Sequence, residues 1–121
     1  MSNVLVDAGP LIAFLDRTDR HHAAARKALA ACKGHWLSTW PALTEAAYLA
    51  ADGATRAHLI ELLRLGAVVA VELDTAAIEA IAWYQAKYRD RNPDLADLSP
   101  LAASDSTGVR TVLTFDRDFS I

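Results

Sequence analysis

Four short apolar runs alternate along the chain with longer segments in which apolar residues recur every three or four positions. Apolar runs of this length predict buried β-strands, and the longer periodicity predicts amphipathic helices. The strands are predicted at residues 4–6, 35–39, 68–73 and 111–115, and the helices at residues 11–15, 21–33, 41–50, 55–65, 76–89 and 97–105. Continuous apolar strands separated by helices are typical of a parallel sheet covered on both faces. The sequence therefore predicts a three-layer α/β/α sandwich with a small parallel sheet of about four strands.

Polar caps and glycines set the expected ends of these helices. Asp19 and Thr75 are expected to cap the second and fifth helices, and Gly34 and Gly66 to end the second and fourth. The faces expected to be buried are Ala24, Ala28, Leu29 and Cys32 in the second helix, Leu59, Ile60, Leu62 and Leu63 in the fourth, and Ile78, Ile81, Ala82 and Tyr88 in the fifth.

Length and composition limit the function classes. The 121 residues predict one domain over residues 1–121, and no apolar stretch is long enough for a membrane span. Asp7 interrupts the apolar N-terminus, which argues against a signal peptide. The single cysteine, Cys32, cannot form an internal disulfide, so a reducing cytoplasm is the expected location. A net charge of −3 excludes nucleic-acid binding through bulk positive charge and leaves a local patch or a metal.

Four of the fifteen acidic residues stand at special positions. Asp7 and Asp116 directly follow the first and last predicted strands, Glu45 lies near the start of the helix after the second strand, and Asp97 opens the last helix. Residues just past the carboxyl ends of parallel strands gather at one sheet edge, beside the usual ligand crevice. Asp7, Glu45 and Asp116 are therefore expected to converge, with Asp97 brought in by its helix N-terminus.

Clustered carboxylates raise one another's pKa unless a cation compensates them, and Mg²⁺ or Mn²⁺ prefers such hard oxygen ligands. One or two such metals can activate water for phosphodiester hydrolysis. Taken singly, each acid has a simpler explanation as a helix cap, a partner of the helix dipole or a turn residue. Other chemistries find less support, because the histidines lack metal-ligand spacing and no nucleophile elbow or glycine-rich phosphate loop is present.

Three segments carry a family resemblance. VLVDAGPL at residues 4–11 resembles the opening of PIN domains, and TWPALTEA at residues 39–46 resembles their second acidic motif. DLAD at residues 94–97 and LTFDRDF at residues 113–119 resemble the paired C-terminal motifs. One departure follows Asp97, where Ser99 and Pro100 replace the usual small and aliphatic residues; Pro100 is expected to be tolerated close to a helix cap.

The resemblance implies a small α/β/α metal-dependent ribonuclease, and many bacterial relatives are VapC-type toxins of toxin–antitoxin pairs. It places the acidic catalytic and metal site at Asp7, Glu45, Asp97 and Asp116, with Mg²⁺ or Mn²⁺ as the cofactor. It also implies supporting roles for the hydroxyls of Thr39 and Thr114 and an outer role for Asp94, which could equally be a surface-loop residue.

The expected substrate is RNA. Arg17, Arg20 and His21 follow the first motif and are candidate RNA contacts, although an ordinary solvated helix face explains them equally well. An antitoxin protein and homodimerisation are expectations from the family. Two alternatives stay open, a housekeeping PIN ribonuclease without an antitoxin and a PIN-like module that binds RNA or protein without cutting.

Overall fold

A computed structural model describes residues 3–115 of the chain. Four strands form one parallel sheet in the order β3-β2-β1-β4. The strands are β1 (Val4–Val6), β2 (Trp36–Thr39), β3 (Val68–Val71) and β4 (Val112–Leu113). The helices are α1 (Ala8–Leu15), α2 (His22–Ala30), α3 (Trp40–Leu49), α4 (Gly53–Arg64), α5 (Thr75–Lys87) and α6 (Leu95–Thr107), with a 3-10 turn at Arg89–Arg91. This order confirms the predicted fold class.

The two faces of the sheet are covered by different helices. Val4 and Val6 face a core built with side chains of α1, α2, α3 and α4. Leu5 points to the opposite face because side chains alternate along a strand, and α6 packs there against β1 and β2. A second cluster, which includes Tyr84 and Leu101, joins α5 to α6. None of the described helices is both long and apolar enough to cross a membrane.

Several helices begin earlier than the apolar pattern indicated, because aspartates cap them. Asp7 caps α1 at Ala8, and Asp94 caps α6 at Leu95, so Asp97 lies in the first turn of α6 instead of opening it. The cap of α5 is Asp74, not Thr75. Asp19 accepts a hydrogen bond from the backbone N–H of His21, one residue before α2 begins.

Some residues predicted to be buried are exposed. The buried face of α2 is formed by Ala25 and Leu29, whereas Ala24 and Ala28 are exposed. In α4, Ile60 is 63% exposed. The core needs only a narrow stripe of each helix, so apolar residues flanking that stripe stay in water.

The same correction applies to α5. Ile78 is 60% exposed and Ala82 is exposed, while Ala77, Tyr84 and Tyr88 are buried. Tyr88 is buried and Ile81 is partly buried against the same cluster, so the prediction holds for these two residues and is wrong for Ile78 and Ala82.

Candidate active site

Asp7 stands where the strand order reverses. β2 and β3 lie on one side of β1, and β4 lies on the other, so the crevice of the sheet opens between β1 and β4. Asp7 is the residue after β1, and its carboxylate accepts the N–H of Ala8 at 2.9 Å through Oδ1. Its Oδ2 accepts the hydroxyl of Thr114, just past β4, at 3.0 Å. Both oxygens of Asp7 are therefore held in place at the crevice.

Glu45 and Asp97 are brought toward Asp7 by two helices. Burial raises the pKa of Glu45, and the charges of Asp94, Asp7 and Asp97 raise it further. Burial also raises the pKa of Asp97; the backbone N–H of Asp94 opposes this rise, and the charges of Asp94 and Asp7 add to it. The charges that raise the pKa of Glu45 all belong to carboxylates. The structure thus brings together three of the four predicted acids, while Asp116 lies outside the described residues.

Asp94 is the N-cap of α6 and a member of the acidic group. Its side chain accepts the N–H of Asp97 at 2.9 Å, and the Asp97 carboxylate accepts the N–H of Asp94 at 3.1 Å. This reciprocal arrangement is a capping box, which fixes both side chains at the helix N-terminus. Asp94 therefore caps α6, and its charge is among those that raise the pKa of Glu45.

A buried chain of hydrogen bonds joins α3 to α6. The Thr39 hydroxyl, the N-cap of α3, accepts the N–H of Ala42 at 3.3 Å and lies 2.6 Å from the hydroxyl of Ser99. Ser99 in turn donates to the carbonyl of Ala96 at 3.2 Å. Since that bond uses the Ser99 proton, Thr39 is the donor to Ser99. The chain aligns the two helices that carry Glu45 and Asp97.

Pro100 explains why Ser99 is needed. It is the sixth residue of α6, inside the helix and not near its cap as predicted. A proline has no N–H to give to the carbonyl four residues earlier, which here belongs to Ala96. The Ser99 hydroxyl supplies a donor to that carbonyl instead. The sequence pattern marked Ser99 and Pro100 only as a departure and missed this role.

The candidate RNA contacts do not form one cluster. The His21 ring packs on Phe115 with their centroids 4.7 Å apart, and Phe115 follows the Thr114 that bonds to Asp7. Arg20 donates through Nε to His21 Nε2 at 3.1 Å. Arg17 instead lines a separate pocket of about 320 Å³ with basic residues of α2 and α4. His21 and Arg20 are therefore the members connected to the crevice.

A cleft of about 790 Å³ adjoins the acids. Glu45 and Asp94 line it, and Trp40, Thr44 and Tyr48 of α3 form much of its wall. Trp40 is 53% exposed and was not among the candidate site residues. The four-residue spacing of Trp40, Thr44 and Tyr48 could have predicted this wall, because residues at that spacing share a helix face.

Comparison with protein families matches the PIN domain over residues 4–121. The chain belongs to the PIN domain family. This PIN domain is similar in structure to the Mycobacterium tuberculosis toxin VapC20, whose crystal structure is described as that of a toxin cleaving the sarcin-ricin loop. The TM-score is 0.85 at 16% sequence identity, and the match covers 95% of this chain and 91% of VapC20. At that identity the likeness shows the fold. A search of curated proteins finds no match.

The donor set of this PIN domain fits a hard divalent cation. Within residues 3–115, no three aspartate, glutamate, histidine or cysteine side chains are arranged to hold a metal ion between them. Mg²⁺ does not need such a cage, because it keeps several waters and takes one or two carboxylates. Asp7, Glu45 and Asp97 offer only carboxylate oxygens, and a cation bound by one or two of them would relieve their mutual repulsion.

Replacing Ser99 tests the link between α3 and α6. Ser99→Ala leaves the Ala96 carbonyl and the Thr39 hydroxyl without their buried partner, and such losses cost about 1–3 kcal/mol. We expect the free energy of unfolding in urea to fall by that amount. Ser106→Ala is the matched control, because Ser106 makes a comparable bond to a helix carbonyl in an exposed position. An equal loss in both variants would contradict the role assigned to Ser99.

Replacing Glu45 tests the electrostatic repulsion. A carboxyl whose pKa is raised on folding stabilises the folded protein at a pH below its ordinary pKa, which is 4.5 for Glu45. This stabilisation is lost as the pH rises through the raised pKa. In chelator, Glu45→Gln is therefore expected to gain stability over the parent protein as the pH rises from 4 to 7. Urea unfolding at several pH values measures this. Glu79→Gln, a change at an exposed position of α5, is the control and should show no such trend. If the difference in free energy of unfolding between Glu45→Gln and the parent does not change with pH, the repulsion is refuted.

Proposed function

We propose that this PIN domain is a metal-dependent ribonuclease that hydrolyses RNA phosphodiester bonds. The observation that carries the proposal is the meeting of Asp7, Glu45 and Asp97 at the strand-order reversal of a parallel sheet. We include Asp116 as a fourth acid on the strength of its motif, since it lies outside the described residues.

The acids have distinct proposed roles. Asp7 and Asp97 would hold Mg²⁺ or Mn²⁺, because hydrogen bonds already fix both side chains at the crevice. A bound ion of this kind lowers the pKa of water and stabilises charge on phosphate oxygens. Glu45, whose pKa burial and its acidic neighbours raise, would take the proton of the attacking water, since Asp7 and Asp97 are assigned to the ion. Thr114 orients Asp7, and Thr39 orients α3 through Ser99.

RNA would be held by local groups, given the net charge of −3. We assign the closest contacts to Arg20 and His21, which connect to the crevice through Phe115. Arg17 would act farther along the bound strand, from its pocket between α1, α2 and α4. Phosphate contacts of this kind position RNA without reading its sequence.

We further propose that the protein is a VapC-type toxin that works in the cytoplasm with an antitoxin as its partner, and that it forms a homodimer. The structural likeness to VapC20, described as a sarcin-ricin loop cleaving toxin, supports the toxin, and the antitoxin and the homodimer are expectations from the family. A lone cysteine is consistent with a reducing compartment.

The direct test is cleavage of structured and single-stranded RNAs by the purified protein. The reaction is run with Mg²⁺, with Mn²⁺ and with chelator. Cleavage that requires a divalent ion is expected. Failure to cut any RNA in either metal, or cutting that persists in chelator, would overturn the proposed chemistry.

A further inference from the structure

The cleft beside the acids has an aromatic wall. Trp40, Thr44 and Tyr48 recur at four-residue intervals, so they lie along one face of α3. Trp40 is 53% exposed and Tyr48 is 86% exposed, although large aromatic side chains are more often well buried. The cleft, of about 790 Å³, is shallow and wide open to solvent.

The carboxylates and the Thr44 hydroxyl of this cleft are acceptors, whereas the indole N–H of Trp40 and the hydroxyl of Tyr48 can donate. The Thr44 hydroxyl donates its proton to the carbonyl of Trp40 at 2.8 Å, so its oxygen can only accept from a ligand. The carboxylates of Glu45 and Asp94 complete the polar lining. Flat aromatic surfaces beside two carboxylates suit flat ligands that carry N–H donors.

The cleft is continuous with the proposed catalytic site, because Glu45 belongs to both. Trp40 and Tyr48 are eight residues apart, which is about 12 Å along a helix axis. The two rings therefore cannot sandwich one flat ligand, and each is available to a different one. A polymer of flat rings fits this spacing better than a single guanidinium, which would leave most of the cleft empty.

We propose that this cleft binds unpaired bases of a single-stranded RNA segment, stacking one base on Trp40 and another on Tyr48 and favouring bases that carry an amino group. The proposal rests on the proposed function for the choice of RNA as the occupant. Single-stranded RNA is commonly recognised by stacking on aromatic side chains, and carboxylates accept from the exocyclic amine of cytosine.

Binding is measured by fluorescence anisotropy with labelled RNA hexamers, in Mg²⁺, on an Asp7→Asn background that keeps the RNA intact. We expect Trp40→Ala and Tyr48→Ala each to raise the Kd by about 5- to 100-fold. Trp40→Phe and Tyr48→Phe retain a ring and should retain most of the affinity. Trp83→Ala is the matched control, because Trp83 is 60% exposed on α5 and lies outside the cleft. An equal loss in the control would overturn the proposal.

Two further ligands test the role of the base. A hexamer with abasic sites should bind the parent background as weakly as the complete hexamer binds the alanine variants. Oligocytidine should bind more tightly than oligouridine, since only cytosine carries the amine. Equal binding of abasic and complete RNA would overturn stacking, and equal binding of the two pyrimidines would overturn the amino-group preference.

The remaining outcomes separate this proposal from other occupants and from the proposed function. If Trp40→Ala dissociates a dimer in sedimentation and leaves base-dependent binding unchanged, the wall is a subunit interface and the proposal is wrong. Base-dependent binding by a protein that never cleaves RNA would support the cleft and refute the nuclease. Cleavage by the parent protein without base-dependent binding would support the nuclease and refute the base-binding cleft.

Discussion

Asp7→Asn and Asp97→Asn are each expected to lower metal-dependent RNA cleavage by about 100-fold or more, since metal ligation supplies several kcal/mol of transition-state stabilisation. Neither change should unfold the protein. An asparagine oxygen still accepts the N–H of Ala8 or of Asp94, so both helix caps survive. The measurement is the initial rate of cleavage in Mn²⁺ and Mg²⁺, with circular dichroism to check the fold.

Asp52→Asn is a closely matched control. Asp52 caps α4 through the N–H of Thr55 at 2.8 Å, so the substitution is the same change at the same kind of position, away from the crevice. Its cleavage rate should stay within about twofold of the parent, as surface changes of this kind are small. If Asp7→Asn or Asp97→Asn cleaves RNA as fast as Asp52→Asn does, that residue does not belong to the site.

Mg²⁺ or Mn²⁺ is expected to stabilise the folded protein by about 2.7 kcal/mol at a concentration one hundred times its Kd. These carboxylates lie close together only in the folded chain, so an ion that binds them would favour the folded state. Thermal unfolding with increasing metal, each point compared with chelator, measures the effect as a rise in Tm.

Two variants are compared with the parent protein in this thermal unfolding experiment. Asp7→Asn should lose most of the metal-dependent rise, and Asp52→Asn should keep it. The chelated Asp7→Asn protein should also be no less stable than the chelated parent, because Asp7 raises the pKa of both Glu45 and Asp97. A metal-dependent rise that is identical in all three proteins would place the ion elsewhere.

Much of this arrangement could be predicted because it depends on local order along the chain. The apolar runs gave the strands, and an acid directly after a parallel strand must lie at the carboxyl edge, which placed Asp7. Glu45 followed from the same reasoning, since its helix begins where β2 ends. These inferences needed only the positions of elements and no side-chain packing.

What could not be predicted depends on contacts between distant segments. Ser99 and Thr39 are 60 residues apart, and no local pattern reports that their hydroxyls meet. Ile60 and Ile78 share the periodicity of buried residues, but the width of the covered stripe is decided by neighbouring helices. Asp97 was placed at a helix start because the apolar pattern hides the reciprocal cap with Asp94.

The capping bonds of Asp7 and Asp97 bear on which ion this site can select. Each carboxylate has an oxygen committed to a backbone N–H, so gripping an ion with both oxygens would compete with a helix cap. Ca²⁺ favours six to eight flexible oxygen ligands, often including such two-oxygen grips, whereas Mg²⁺ accepts a few single-oxygen contacts and retains water. If these acids hold a divalent ion as proposed, we expect the crevice to bind Mg²⁺ in preference to Ca²⁺, because each helix cap leaves its carboxylate one oxygen fewer for a two-oxygen contact.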